Sequence, residues 1–439
     1  MEAAARRVGT LFYLVHPNAS TFQHAEEVPD YANEAVPVVI IIVILEMAVK
    51  LAMGRPYRVN EALSSASHGA IHEVGRMLVT GTMLLGYEWL YQYRLLDLAW
   101  DSLFTWLAAF VLVDFCYYWV HRANHELNIL WAFHQVHHSN EDFNFATGLR
   151  ISMFQKLSHF GFYQPLALVG IPLPAVLVHT SLNFVAQFWV HSSMGSLGPL
   201  EGVIATPSFH RVHHGANNWC LDKNYTSVLV LWDHLFGTYE PEREDTEIVF
   251  GLTQQPQTFN TLYHEFFYFG EVFRKARSMS TWTDSLKAVF YGPGWTPGSP
   301  RLGDPAKFPV ITAPRTKYDP QIPRWQLLYI AVHLLVIALL QQQLFTRYPT
   351  ASWVTVMVFL VFITCSVGVV TAMMDGWRWA GPAEGVRCTV FLLYARSLFA
   401  THVPVLDAAL TLFFSLCAFF WTSHSLAHRY AAAKTQKIQ

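Results

Sequence analysis

The chain has 439 residues, 53% of them hydrophobic and 14% charged, with a formal net charge of −2. Ordinary soluble domains carry about 25% charged residues, so the composition excludes a string of such domains and points to a polytopic membrane protein. A near-neutral balance without a dominant Lys/Arg cluster argues against a nucleic-acid partner, and five scattered cysteines with no CxxC exclude a disulfide framework or a cysteine zinc site.

The start, MEAAARRVGT, is followed by a stretch too short and polar for a signal h-region, so no cleaved signal is expected. Residues 36–53 (VPVVIIIVILEMAVKLAM) are long enough to cross a bilayer core of about 30 Å. Further spans are predicted over 75–91 and 103–120. Residues 160–188 are apolar but broken by Pro165, Pro172 and Pro174, which predicts two short helices forming a hairpin that dips in and returns. Residues 195–325 are polar and rich in turn formers, an extramembrane body. Apolar spans resume at 327–346, 353–374, about 386–401 and 405–423, and they read as nearly free of polar residues.

Acidic Glu26, Glu27, Asp30 and Glu34 precede the first span, whereas Lys50, Arg55 and Arg58 follow it. The positive-inside rule then places the N-terminus in the lumen and 54–74 in the cytosol, together with the 195–325 body and the basic C-terminus (Arg429, Lys434, Lys437). Of the sequons at Asn18 and Asn224, only Asn18 would face a glycosylating lumen, and Asn224 reads as a chance match. The expected division is a lumenal segment 1–33, a membrane-embedded catalytic unit 34–325 and a C-terminal helical extension 326–439.

Eleven of the 21 histidines fall between residues 121 and 214. His121-Arg-Ala-Asn-His125 places two imidazoles one helical turn apart. His134-Gln-Val-His137-His138 and His210-Arg-Val-His213-His214 are HxxHH runs, expected to present three rings together. Eight imidazoles exceed the needs of one ion, so two metals are implied, and a set without thiolates suits Fe, Zn, Cu or Ni. His179, Asn183, Gln187 and His191 recur every four residues in an apolar stretch, a stripe that is costly at membrane depth unless it faces a site. His191 is the best ninth ligand. Gln187 and Asn183 read as supports or substrate contacts and His179 as structural. Asp114, seven residues before His121, either orients that imidazole from behind or is a buried hydrogen-bonding residue. The expected fold is all-α, a polytopic membrane helical protein whose histidine-rich cytosolic cap holds a dimetal site.

HRANH, HQVHH and HRVHH, with WDHLFGTYE downstream, resemble the fatty acid hydroxylase and sterol desaturase superfamily of integral-membrane di-iron enzymes. The runs TPSFHRVHHGANNWCLDKNY (206–225) and GPGWTPGSPRLG (292–303) resemble its branch that cleaves glyceryl ethers. The resemblance implies iron ligation by His121, His125, His134, His137, His138, His191, His210, His213 and His214. Gln187 stands where acyl-chain hydroxylases tend to have a further His, and His234 is not expected to bind metal. It further implies two iron ions, O2, tetrahydrobiopterin as reductant, an ether-lipid substrate drawn from membrane lipids, a pterin-recycling reductase as partner and a multi-pass location in the endoplasmic reticulum membrane. The implied reaction yields fatty aldehyde and a glycerol derivative. Glu126 is then a candidate pterin or support contact, and Glu126, Asp114, Gln187 and Asn183 make up the candidate catalytic set beyond the ligands. Phe and Trp residues around the boxes, such as Phe143 and Phe188, read as packing more than as an alkyl tunnel. The alternatives are a cytochrome b5-dependent sterol, sphingolipid or fatty acid hydroxylase of the same superfamily, and a histidine-based metal transporter or sensor.

Overall fold

The computed structural model describes residues 8–436 except 349, 395, 396 and 402; residues 1–7 of the chain start and Lys437 lie outside the described residues. The described residues form helices and contain no β-strand, only isolated bridges such as Ile204 with Leu229 and Gly215 with Phe250. Six helices are long and apolar enough to cross a membrane: Ala25–Ala52, Leu103–Glu126, Leu173–Val190, Arg324–Arg347, Trp353–Met374 and Pro404–Ala427.

The first half is built from α1 (Tyr31–Ala52), α2 (Val59–Tyr91), α3 (Leu103–Glu126), α4 (Asn128–His138), α5 (Gln155–Ser158), α6 (Pro165–Val169) and α7 (Leu173–Val190). The span predicted over 75–91 belongs to α2, whose polar first half buries Asn60, Glu61, Ser64, Ser65, Ser67 and His68 instead of meeting lipid. The hairpin predicted over 160–188 is also revised. Its first arm, α6, is little more than one turn, and α7 is long enough to be a span by itself. Gly170 makes the turn between them at φ +106°, where a Cβ would meet the Leu96 carbonyl oxygen at 2.0 Å. α7 packs between α1 and α3, sharing Val178, Leu182 and Val185 with Tyr31, Ala35 and Val39.

The polar body contains α8 (Pro207–His214), α9 (Leu231–Phe236), α10 (Thr261–Arg277) and α11 (Trp282–Phe290). Asp233 shapes the turn through α9: its carboxylate accepts the Tyr225 and Thr226 amides at 2.8 and 2.9 Å and the Thr238 hydroxyl at 2.7 Å. That accounts for the Asp in WDHLFGTYE.

The remaining helices are α12 (Arg324–Arg347), α13 (Trp353–Met374), α14 (Ala380–Tyr394) and α15 (Pro404–Gln436). With Ile71 and Val74 of α2 they form the largest apolar cluster. Hydrogen bonds fasten this bundle to the rest. Asp375 accepts the Phe259 amide (2.9 Å) and the Thr258 and Tyr318 hydroxyls, Asn260 donates to the Gly368 carbonyl (2.9 Å) and Gln341 to the Ala70 carbonyl (2.6 Å).

These helices are less apolar than their sequence suggests. The segment predicted at 386–401 begins earlier, as the 15-residue α14, and carries buried Glu384 and Arg387. Arg387 Nε donates to Glu384 at 2.8 Å, and its Nη2 lies 2.8 Å from His333 Nδ1; Tyr329 donates its hydroxyl to the same carboxylate. A charge pair is tolerated in an apolar bundle only when each member is fully bonded, and removing one partner costs about 3–5 kcal/mol. Glu384→Leu should therefore lower the thermal midpoint of detergent-solubilised protein sharply, and adding Arg387→Met should recover most of that loss. Equal losses in the single and double variants would contradict a paired role.

Candidate metal centre

Four helical segments bring the histidines together. His121 and His125 lie on the last turns of α3, which ends where extended Leu127 turns the chain into α4. α4 carries His134, His137 and His138; His191 is the residue just past α7; and α8, capped by the Thr206 hydroxyl and started by Pro207, carries His210, His213 and His214. α8 stops at Gly215, where a Cβ would lie 2.5 Å from Cys220 Sγ, so the chain can fold back over the site only with glycine there.

All nine expected residues converge, in two groups. His121, His125, His134, His138 and His213 form one, and His137, His191, His210 and His214 the other; within each group the ligand atoms lie within 4.8 Å of one another. The HxxHH runs thus do not present three rings to one place. Residues i and i+4 are only about 40° apart around a helix at 3.6 residues per turn, while i+3 falls on the other flank. His134 and His138 therefore share a group and His137 crosses to the neighbour, and His210 and His214 do the same with His213 crossing the opposite way. The groups adjoin, with the His138 and His214 rings stacked at 4.5 Å.

Backbone carbonyls set the tautomers. His121 Nδ1 donates to the Tyr225 carbonyl (2.7 Å), His137 to Arg150 (3.0 Å), His191 to Gln187 (2.8 Å) and His213 to Lys223 (2.9 Å), while His134 Nδ1 donates to Gln155 Oε1 at 3.1 Å. With the proton on Nδ1, each Nε2 is a bare lone pair. Yet His121 and His134 bring their Nε2 atoms to 3.0 Å, and His137 and His191 to 3.2 Å. Two acceptors at that distance repel unless a cation lies between them. The buried Nε2 atoms of His125 and His213 also lack any hydrogen-bond partner among the described residues. Burial, reinforced by neighbouring imidazoles, pushes His134, His138, His191, His210 and His214 well below the ordinary histidine range, and burial pushes His137 to about 4 and His213 to about 3. Neutral rings with converging lone pairs are a donor set for two divalent ions of the imidazole-preferring metals.

The other expected residues take different places. Asp114 does not touch His121: its carboxylate accepts the Val228 and Leu229 amides and the Trp232 indole N–H, each at 3.0 Å. It pins the loop that begins with Tyr225, the residue whose carbonyl orients His121. Asn183 lies beside Asp114 at 3.5 Å and accepts from Gln187 Nε2 at 2.9 Å; Gln187 Oε1 accepts the Tyr117 hydroxyl at 2.6 Å. These two form a polar string beneath the metal groups. His179 is two turns further from the site, bonded to the Tyr13 hydroxyl at 2.8 Å. Glu126 is held by Arg122 (2.7 Å) and by Arg301 of the 292–303 run. Exposed His234 faces the Gly202 carbonyl, away from the site. Asn224 is fully buried, bonding the Phe209 and Glu240 carbonyls, so its sequon is closed to modification.

Sequence reasoning missed Gln155 and Asp222. Asp222 Oδ1 lies 3.6 Å from His125 Nδ1, and burial pushes its carboxyl up to about 7. Asp222 also lines a cleft of about 520 Å³ that opens onto His125, His138, His213 and His214. Trp131, Phe267 and Tyr268 line it too, and Pro293, Gly294 and Leu302 of the glycine- and proline-rich run contribute to its wall. Glu126 is not among the lining residues, so its tie to Arg301 acts on the run that forms the wall.

The fatty acid hydroxylase family model matches residues 106–238, which contain all nine histidines, and the model of the alkylglycerol monooxygenase C-terminal domain matches 327–412. The chain is 38% identical to human alkylglycerol monooxygenase over 421 residues, covering 95% of this chain and 94% of the relative. It is 35% identical to the Xenopus tropicalis enzyme of the same name over 441 residues, covering 100% and 98%. Ornithine lipid hydroxylase OlsE of Rhizobium tropici is 32% identical over 158 residues, 35% of this chain and 47% of that one. No solved structure matches the chain. Similarity that spans both parts of the molecule, together with the histidine groups, means that this chain belongs to the alkylglycerol monooxygenase family, membrane enzymes of the fatty acid hydroxylase type.

Proposed function

We propose that this chain is a di-iron, tetrahydrobiopterin-dependent monooxygenase that oxidises the O-alkyl bond of alkylglycerols and related lyso-ether lipids. The observation that carries the reading is the pair of adjoining, carbonyl-oriented imidazole groups in a chain similar over nearly its whole length to alkylglycerol monooxygenases. Two irons, one held by His121, His125, His134, His138 and His213 and one by His137, His191, His210 and His214, would supply O2 activation and insertion of one oxygen at the carbon beside the ether oxygen. The resulting hemiacetal separates into fatty aldehyde and glycerol derivative.

The protein's own share is orientation and exclusion of water. The Tyr225, Arg150, Gln187 and Lys223 carbonyls keep four lone pairs aimed inward, and Arg150 is itself fixed by a 3.0 Å pair with Glu61. A flat reduced pterin, with a guanidine-like edge, suits the cleft, where Trp131, Phe267 and Tyr268 offer ring faces and Asp222 and Glu271 offer carboxylates. It would supply electrons, and a pterin-recycling reductase would restore it. Gln187 and Asn183 fit a supporting role beneath the irons, Asp114 a positioning role through the Tyr225 loop and Glu126 one through Arg301. The matched family segments support a catalytic unit over 34–325 and an extension over 326–439. The charge distribution supports a site facing the cytosol, in what the family resemblance makes the endoplasmic reticulum membrane.

His137→Ala should lower bound iron, read by metal analysis of purified protein, and reduce activity roughly 100-fold or more, beyond the cost of losing an outer partner, while the variant still inserts in membranes. His234→Ala should keep both iron and activity; a dead His234 variant would mean that the ligand set is incomplete. In membranes given an alkylglycerol and O2, aldehyde should form on addition of tetrahydrobiopterin. Aldehyde formed only with NADH and cytochrome b5 would overturn the pterin assignment.

A further inference from the structure

We propose that α10 and α11 lie in the membrane leaflet on the histidine side, so that α10 separates lipid on one flank from the cleft over the histidine groups on the other. The placement is independent of which lipid the enzyme oxidises. Tyr263, Phe266, Gly270, Phe273 and Arg277 of α10 are exposed, and at 3.6 residues per turn they fall within about 80° of one another. Phe273 is 64% exposed. Phe267, Tyr268, Glu271 and Lys275 occupy a flank centred roughly 135° away, and they line the cleft that opens onto His125, His138, His213 and His214.

α11 packs along α10 and adds a second ridge of Trp282, Leu286 and Phe290, spaced one helical turn apart and all exposed. Trp282 is 73% exposed. Two adjoining rows of large apolar side chains mark an interaction surface rather than ordinary scatter. Arg274, Lys275 and Arg277 crowd the last turn of α10, where lipid phosphates would meet them. An aromatic flank, a basic end and polar residues elsewhere describe a helix that lies in the interface plane instead of crossing it.

The neighbours of α10 set its depth and identify the occupant as lipid. A Cβ at Gly368 would collide with the Leu262 side chain, so the first turn of α10 is seated directly on α13. Gly368 lies about 9 Å before the end of α13 at 1.5 Å per residue. With 22 residues, α13 is about 33 Å long, matched to a hydrocarbon core of about 30 Å. Leu262 therefore sits at or just inside the hydrocarbon boundary. A second landmark agrees. The Phe266 ring meets Phe154 at 5.5 Å, and the Met153 carbonyl is pressed onto Gly75, where the apolar part of α2 begins. A stripe that starts at this depth on the outside of the molecule continues the lipid-facing surface of the spans. The rim of the cleft away from α10 carries the exposed cation Lys307, so a water-soluble reductant reaches the cleft without crossing lipid.

The test places a single NBD fluorophore on the full-length chain in phosphatidylcholine nanodiscs, through Phe273→Cys, Trp282→Cys or Lys307→Cys. Cys365→Ser supplies the background, because the other four cysteines are buried. Labels at 273 and 282 should be quenched by phosphatidylcholine bearing a doxyl group near the head of its chain. Their iodide quenching constants should lie at least about threefold below that of the label at 307, which should ignore the doxyl lipid. Free quenching of 273 and 282 by iodide, with no effect of doxyl lipid, overturns the proposal. Protection of both positions from both quenchers also overturns it, since a second copy of the chain then covers the stripe. Lipid quenching at 307 overturns the separation of the two flanks. Should Trp282→Cys or Phe273→Cys fail to fold, Leu286→Cys on the same surface supplies the measurement. No turnover is read, so failure of the ether-oxygenase reading leaves the outcome unchanged.

Discussion

Lone pairs aimed at one another are the constraint on which this structure depends. In each histidine group uncharged imidazoles meet Nε2 to Nε2 at about 3 Å, with protons committed to carbonyls behind them. Nothing among the described residues relieves that repulsion. The surrounding fold must therefore be stiff enough to hold the rings in place, and two cations would complete what the chain begins. This is why so much of the sequence between 139 and 240 builds no regular helix but bends to bring specific carbonyls within hydrogen-bonding reach.

The stiffness comes from carboxylates that never reach the metals. Asp114 and Asp233 between them hold four backbone amides around 225–229, and Glu61 holds Arg150. Each acts on a backbone segment whose carbonyl in turn fixes a ring. Loss of one of these groups would be felt at the centre as a rotated imidazole. The Asp114–Asn183–Gln187–Tyr117 string connects this support to the underside of the site.

Much of the site was legible because its chemistry is written in side chains. Nine imidazoles at helical spacing suit metal ligation far better than core packing, and all nine meet. Their division was not legible, since HxxHH looks like one cluster until the 3.6-residue turn sends its middle ring across to the other group. The orienting carbonyls of Tyr225, Lys223, Arg150 and Gln187 could not be read either, because every residue has one and only the fold selects which is used. Spacing along α3 left Asp114 either a partner for His121 or a buried hydrogen-bonding residue, and only the fold shows the second, with its carboxylate taken by amides more than a hundred residues away. In the C-terminal bundle, hydropathy averaged over a window concealed Glu384 and Arg387, whose charges cancel locally. The two-part helical reading of 160–188 located the breaks at its prolines but not their consequence, a full-length α7 behind a one-turn α6.

The bonds between Asp375, Asn260 and Gly368 have a consequence in time. The 258–261 stretch starts α10, which packs against the histidine-bearing α4, and part of what holds that stretch comes from α13 and the residue that follows it. Synthesis runs from N- to C-terminus, so every histidine of the centre has left the ribosome well before its last supports exist. Completion of the histidine groups is thereby tied to the end of translation, and any loading of the site becomes a late step in the biogenesis of the protein.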